Sequence, residues 1–334
     1  MAFGRRDLFR LGSLLGGLGL AGYAGTSRWL EARARPKPVP PLGLDCTTGT
    51  ADAASYAARF APPGYLAAGS RDGLHTPPPR AARAAAVQRI DLPVLETTLE
   101  VAQGRNLTVW AYGGTVPGPI LRATVGDALE IRLDNRTSAP HSVHFHGAHD
   151  VMQDGLGRVA PGTSLAYAIE AGPVGFHPYH CHVPPYAQHL SRGMYGALIV
   201  DPPQGRAEAH EFVLCLCGFD TDGDGHNDVY AWNGVAGYYE RFPLKVPAGE
   251  LVRVYLLNMV EHEPVASFHL HAQTFDLYRS GTTLAPHEHT DLVSLGPAER
   301  AIIEFRLPRR GRYMFHPHQS HMAERGAMGW IVAI

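Results

Sequence analysis

The sequence carries no excess of charge of either sign: 29 Lys and Arg stand against 31 Asp and Glu, a net charge of −2 over 334 residues. Such a balance gives no cationic field for nucleic acid or another polyanion. It also has no apolar run of membrane-spanning length. The uncharged stretch from Leu11 to Ala24 is too short and too glycine-rich to be a comfortable span. Only four cysteines are present. Cys215 and Cys217 stand two apart in EFVLCLCGF, so they share one face of a strand and are poorly placed to bridge each other. We expect them to be buried free thiols, with a disulfide from Cys46 to one of them left open for an oxidising compartment.

What the sequence has in excess is histidine, 19 residues in all. The densest stretch, FHPYHCHVPPYAQHLSRGM at 176 to 194, sets Cys181 between His180 and His182 and follows it with His189 and Met194. A thiolate, two imidazoles and a weak thioether are the donors of a trigonal blue-copper electron-transfer site. Cys181, His189 and Met194 supply three of them, and HSVHFH at 141 to 146 offers His141 as the fourth. Neighbours on an extended segment point to opposite faces. His180 and His182 therefore face away from a copper on Cys181, and can hold a second metal site joined to the first through the cysteine. Any one of these residues alone reads as an ordinary polar or core side chain. The combination does not.

In chain order, GRRDLFRLGSLLGG resembles a twin-arginine export signal, with Arg5 and Arg6 as the pair and Phe9 in the apolar position after them. We take 1–35 as this signal, expected to be cleaved between Ala24 and Ala34, with an uncleaved anchor as the alternative, and expect the protein in the periplasm or outside the cell. Export in the folded state suits a protein that assembles around metal. Residues 36–87, with PKPVPP and TPPPRAAR, read as an extended Pro/Ala-rich linker that wraps the body, with a short helix at 51–60. From Gln88 onward, short β-rich runs separated by Gly, Pro, Asn or Asp predict an antiparallel Greek-key sandwich over 88–204. A second set of runs predicts another over 205–334. The two correspond in order: RLDNRTSAPHSVHFHG and YHCH in the first, LLNMVEHEPVASFHLH and FHPH in the second. The chain is all-β, two copies of one sandwich.

The duplication yields four His-x-His pairs: His144/His146, His180/His182, His269/His271 and His316/His318. Eight imidazoles are too many for one ion, and neutral imidazole suits copper. The natural assignment is three coppers, one held by two histidines and two held by three each.

With these motifs and TVPGPILRATVGDALEIRLDN at 115–135, the chain resembles the two-domain, laccase-like multicopper oxidases over about residues 88–334. The resemblance implies tandem cupredoxin-like sandwiches and four coppers per protomer. Type 1 copper would take His141, Cys181, His189 and Met194. Type 2 would take His144 and His269. The type 3 pair would take His146, His180, His182, His271, His316 and His318. Domain 2 has Ala266 where domain 1 has His141, and Pro317 where it has Cys181, so the type 1 site belongs to domain 1 alone. His321 and Met328 look like remnants of a second. The eight-residue step from Cys181 to His189 is longer than in most laccases. The resemblance further implies a homotrimer, in which domain 1 of each subunit meets domain 2 of the next around a shared cluster.

The implied activity takes single electrons from a phenol, an aromatic amine or a metal ion and reduces dioxygen to two waters. Electrons would enter through an exposed edge of His189 or His141 and pass by Cys181 to His180 and His182. Asp154 matches the acidic residue that relatives place beside the cluster to handle protons, and Glu324 is a second candidate. Only seven methionines, none clustered, argue against a specialised cuprous-ion oxidase. The rival enzyme is a copper nitrite reductase, a family with one additional copper that carries Asp at the position of His144 and lacks the second His of the HCH run. The non-enzymatic rival is an electron-transfer or copper-binding protein. Asp220 to Asp228, DTDGDGHND, resembles part of a calcium loop, but position twelve is Ala231 and a solvated turn is expected. His287 and His289 read as surface residues.

Overall fold

A computed structural model of the chain describes residues 75–80, 87–148, 151–155 and 157–334. The export signal at 1–35, Cys46 and most of the linker, including its expected helix at 51–60, lie outside the described residues. The linker residues His75 to Arg80 run along the folded body. The His75 carbonyl accepts from the Val213 N–H at 2.8 Å, and the Pro78 carbonyl accepts from Arg122 at 3.1 Å.

The first half contains β1 (Val87–Ala102), β2 (Arg105–Tyr112), β3 (Ile120–Thr124), β4 (Ala128–Asn135), β5 (His144–Phe145), β6 (Ser164–Glu170), β7 (Gly175–His180), the short helix α1 (Tyr186–Ser191) and β8 (Tyr195–Asp201). Its strands form two four-stranded sheets, ordered β2-β1-β4-β6 and β3-β8-β7-β5. The second half contains β9 (His210–Phe219), β10 (Val229–Trp232), α2 (Tyr238–Arg241), β11 (Leu244–Val246), β12 (Leu251–Asn258), β13 (Ala266–Leu270), β14 (Phe275–Arg279), β15 (Glu288–Thr290), β16 (Leu292–Leu295), β17 (Arg300–Arg306), β18 (Gly311–His316), α3 (Ser320–Glu324) and β19 (Gly329–Ala333). Here the orders are β10-β9-β12-β17-β14-β15 and β11-β19-β18-β13-β16. The all-β architecture of two sandwiches is the one expected.

The sheets are mixed, however, and not purely antiparallel: β1 runs parallel to β4, β3 to β8, β9 to β12 and β11 to β19. The Greek-key path explains this. After the β1–β2 hairpin the chain crosses to the other sheet for β3, and a return through that second layer brings β4 alongside β1 in the same direction.

Strand periodicity decides which face each side chain serves. In β4, ALEIRLDN, exposed and buried positions alternate, and Leu129, Ile131 and Leu133 enter the first sandwich's core. In β8 and β12 no position is exposed. Their alternate residues serve two different clusters. Val252, Val254 and Leu256 fill the second sandwich, whereas Tyr255 and Leu257 join Tyr195, Ala197 and Ile199 of β8 in a third cluster between the sandwiches. Burial on both faces is why these strands read as unbroken apolar runs. Cys215 and Cys217 lie in this seam as buried free thiols.

The seam is closed along one side by charges. Arg122 of β3 binds Asp201 at 2.7 Å and Glu211 at 2.6 Å, while Arg253 of β12 binds Glu211 at 2.9 Å and Glu304 at 2.6 Å. Burial opposes the charge on Glu211. The Arg122 guanidinium more than offsets it, with help from Tyr255 and Arg253, and holds the carboxyl below its ordinary range.

Candidate metal centre

Four short segments converge at one end of the first sandwich. His141 is fixed by a two-way backbone bridge to Val159, and Cys181 follows β7 directly, its N–H donating to the Met194 carbonyl at 3.0 Å. The chain then turns through α1, which carries His189, and the Met194 N–H returns to the His189 carbonyl at 3.2 Å. Three ligand atoms meet as a result: His141 Nδ1 and His189 Nδ1 are 3.2 Å apart, and Cys181 Sγ lies 3.3 Å from the second and 4.0 Å from the first. Met194 is fully buried in the same core cluster as Cys181.

The chemistry of this triad suits a soft metal ion. Burial, reinforced by His189, pushes His141 down to about 3, and burial with Arg192 lowers His189, so both rings are neutral with lone pairs available. Burial raises the Cys181 thiol despite the N–H of Ser142, which points at its sulfur from 3.5 Å. A thiolate here needs a cation beside it, and two neutral imidazoles with a thioether cannot supply the charge. The donor set therefore fits a copper ion of the trigonal type. The expected exposed edge of His189 or His141 is not found: the rings are 3% and 0% exposed. They are inside because Trp110 packs across both.

The other imidazoles gather in two matching sets of four. In the first half, His144 of β5 is in register with His180 of β7. His146 Nε2 faces His180 Nε2 at 2.8 Å, His180 Nδ1 donates to the Cys181 carbonyl at 2.9 Å, and the His182 N–H donates to Ser142 Oγ at 3.0 Å. In the second half, His269 of β13 is in register with His316 of β18. His271 Nε2 faces His316 Nε2 at 2.9 Å, His316 Nδ1 donates to the Pro317 carbonyl at 2.8 Å, and the His318 N–H donates to Ser267 Oγ at 2.8 Å. Donation from Nδ1 fixes the tautomer and leaves Nε2 of His180 and His316 as acceptors aimed at their partners. The ligand atoms of His144, His146 and His180 lie within 4.8 Å of one another, as do those of His269, His271 and His316. His182 and His318 complete the sets by ring contacts with His144 and His269, centroids 5.6 and 5.5 Å apart. Burial pushes His146 down to about 3 and His180 to about 4, with their neighbouring histidines adding to it, so these rings too are ready as ligands. Among the described residues, no imidazole of one set packs on an imidazole of the other.

Asp154 lies beside His144: its carbonyl is 2.9 Å and its carboxylate 3.1 Å from His144 Nδ1. A counterpart was missed. The Asp291 carbonyl accepts from His269 Nδ1 at 2.9 Å, with its carboxylate at 3.8 Å. No motif marks Asp291, but the duplication predicts that some residue must do for His269 what Asp154 does for His144. In the second half His321 lies 3.3 Å from Glu263 and packs on Tyr230, and Met328 is buried nearby in sequence, with no cysteine between them. Asp220, Asp222 and Asp228 approach within 4.8 Å of one another, and the Asp220 carboxylate accepts the N–H groups of Gly223, Asp224 and Gly225, the geometry of a turn. His289 is an exposed residue bound to Asp276 and Thr274.

Two tandem Greek-key sandwiches with a buried Cys-His-His triad and clustered imidazoles define a cupredoxin-fold copper protein. Family models described as multicopper oxidase match residues 94–205 and 219–333. A solved multicopper oxidase is 41% identical, covering 74% of this chain and 89% of that one with a TM-score of 0.73. A copper-containing nitrite reductase of Neisseria meningitidis is 30% identical over 269 residues, 73% of this chain and 68% of that protein. The copper nitrite reductase from Nitrosomonas europaea is 28% identical, covering 74% of this chain and 94% of that one, with a TM-score of 0.66. The chain belongs to the multicopper oxidase family.

Proposed function

We propose that this protein is a laccase-like oxidase with four coppers per protomer. When bound, copper supplies the one-electron steps that join oxidation of a phenol, an aromatic amine or a metal ion to reduction of dioxygen to two waters. His141, Cys181, His189 and Met194 would hold the type 1 ion and His144 with His269 the type 2 ion. His146, His180, His182, His271, His316 and His318 would hold the type 3 pair. The chain's own residues prepare the site. Burial keeps the imidazoles neutral, the Cys181 and Pro317 carbonyls orient His180 and His316, and Asp154 orients His144 and is placed to pass protons to its side of the cluster.

The observation that carries this reading is the pair of matching four-histidine sets. A reductase of the kind described above would have Asp at the position of His144 and no histidine at that of His182. Because no imidazole of one set packs on an imidazole of the other among the described residues, we propose that the complete cluster forms between neighbouring copies in a closed ring of three, domain 1 of one against domain 2 of the next. Export by the twin-arginine route belongs to the same proposal.

Nitrite reduction is the second reading, favoured by the relatives of that name at 30% identity. Copper per protomer, with oxygen uptake and nitrite loss measured against the same electron donor, separates the two. Four coppers with donor-dependent oxygen uptake support the oxidase. Two coppers with nitrite consumption and no oxygen uptake overturn it, and turnover of neither acceptor would leave an electron carrier.

A further inference from the structure

Both imidazoles of the buried triad are covered by one side chain. Trp110 of β2 packs its ring against His141 with centroids 5.0 Å apart at 70°, and against His189 at 4.9 Å and 50°. Its outer side meets charge. The indole N–H donates to the Glu96 carboxylate at 2.8 Å, and the Arg192 guanidinium carbon stands 4.6 Å from the ring centroid. The Arg192 carbonyl also accepts the Trp110 backbone N–H at 3.0 Å, so the segment that carries His189 and Met194 clamps the tryptophan from both backbone and side chain. Trp110 is 7% exposed, against 0% and 3% for the two imidazoles. Of the three rings the indole keeps the largest exposed fraction, and its contacts on the side away from the imidazoles are Glu96 and Arg192.

We propose that Trp110 is the contact through which a reducing substrate passes its electron to the metal held by the triad, with Glu96 and Arg192 fixing the indole and framing its outer edge. The inference rests on the reading of His141, Cys181 and His189 as a copper site. The donor loses one electron, cupric copper gains it to become cuprous, and the indole is left unchanged. Arg192 favours this role over oxidation of the ring, because a cation over the face opposes positive charge developing on it. The framing selects small outer-sphere one-electron donors, since neither imidazole edge is open to bind one directly.

The test uses copper-loaded full-length protein with Trp110→Leu, Trp110→Phe and Arg192→Gln. Stopped flow without oxygen reads the bleaching of the copper–thiolate band by hydroquinone or ferrocyanide, reoxidation by dioxygen is followed separately, and a redox titration gives the reduction potential. Trp110→Leu is expected to keep the band and the reoxidation rate but to bleach about tenfold or more slowly, the scale on which loss of a positioned contact acts. Trp110→Phe should fall between, at unchanged potential. Arg192→Gln should slow anionic ferrocyanide more than neutral hydroquinone. Bleaching of Trp110→Leu as fast as wild type, or faster, overturns the proposal, because the indole would then be a shield. If the leucine variant loses its band, the phenylalanine variant decides: slower bleaching supports the proposal, and an unchanged rate overturns it. A wild-type protein without the band would refute the copper reading itself and this inference with it.

Discussion

His141 offers a direct measure of how far the fold prepares a ligand before metal arrives. Its imidazole has no exposed surface and is pushed from an ordinary value of 6.5 down to about 3. Between those values the unfolded chain binds a proton that the folded chain refuses. The contribution to stability is therefore complete above pH 6.5 and is lost as pH falls toward 3. Each pH unit in that window is worth about 1.4 kcal/mol, so acidification from pH 6.5 to about 4.5 should cost roughly 2–3 kcal/mol through this group alone. His146 and His180 add terms of the same sign, and comparison with His141→Leu removes most of what they share. Urea unfolding of metal-free wild type and His141→Leu at about pH 7.5 and about pH 4.5 should show wild type losing roughly 2–3 kcal/mol more than the variant. Equal losses would mean that the folded protein protonates His141 freely, and the argument for a ready neutral ligand would fail.

Burial raises the Cys181 thiol, so copper uptake at neutral pH must expel about one proton and tighten as pH rises. Cys181→Ser should abolish both that release, read in a weakly buffered titration, and the copper–thiolate band. Asp154→Ala should lower copper affinity at the cluster or oxygen turnover by about 10- to 100-fold, the usual scale for an orienting partner. Asp291→Ala should do less, because its carboxylate is 3.8 Å from the imidazole against 3.1 Å for Asp154, while the backbone carbonyl contact survives the change at both positions. Phe176 is fully buried in the seam and packs on Tyr255 at 5.3 Å, so Phe176→Ala should cost about 3–5 kcal/mol in urea unfolding. A loss below about 1 kcal/mol would argue that the seam is loose.

The histidine sets were legible because strand geometry turns spacing into position. Residues two apart share a face, so His144 with His146 and His180 with His182 could be paired from sequence, and the repeated Asn-ending strand located their counterparts. Other features depend on contacts between layers, which local spacing does not encode. Trp110 lies on β2, in the sheet opposite β7, and nothing near it in sequence announces that it covers His141 and His189. Asp291 is 22 residues beyond His269 whereas Asp154 is 10 beyond His144, because β14 and β15 intervene in the second half. The parallel strand pairs required knowing that β3 visits the other sheet before β4 returns.

The charged seam has a mechanical corollary. Arg122 and Arg253, 8% and 3% exposed at the side chain, share Glu211 between them and are each held by a further carboxylate, one in each sandwich. Opening the joint would bare several desolvated charges at once, so the halves have no cheap hinge. The angle between the two histidine sets is therefore built in when the chain folds, and not adjusted afterwards by a swing of one sandwich on the other.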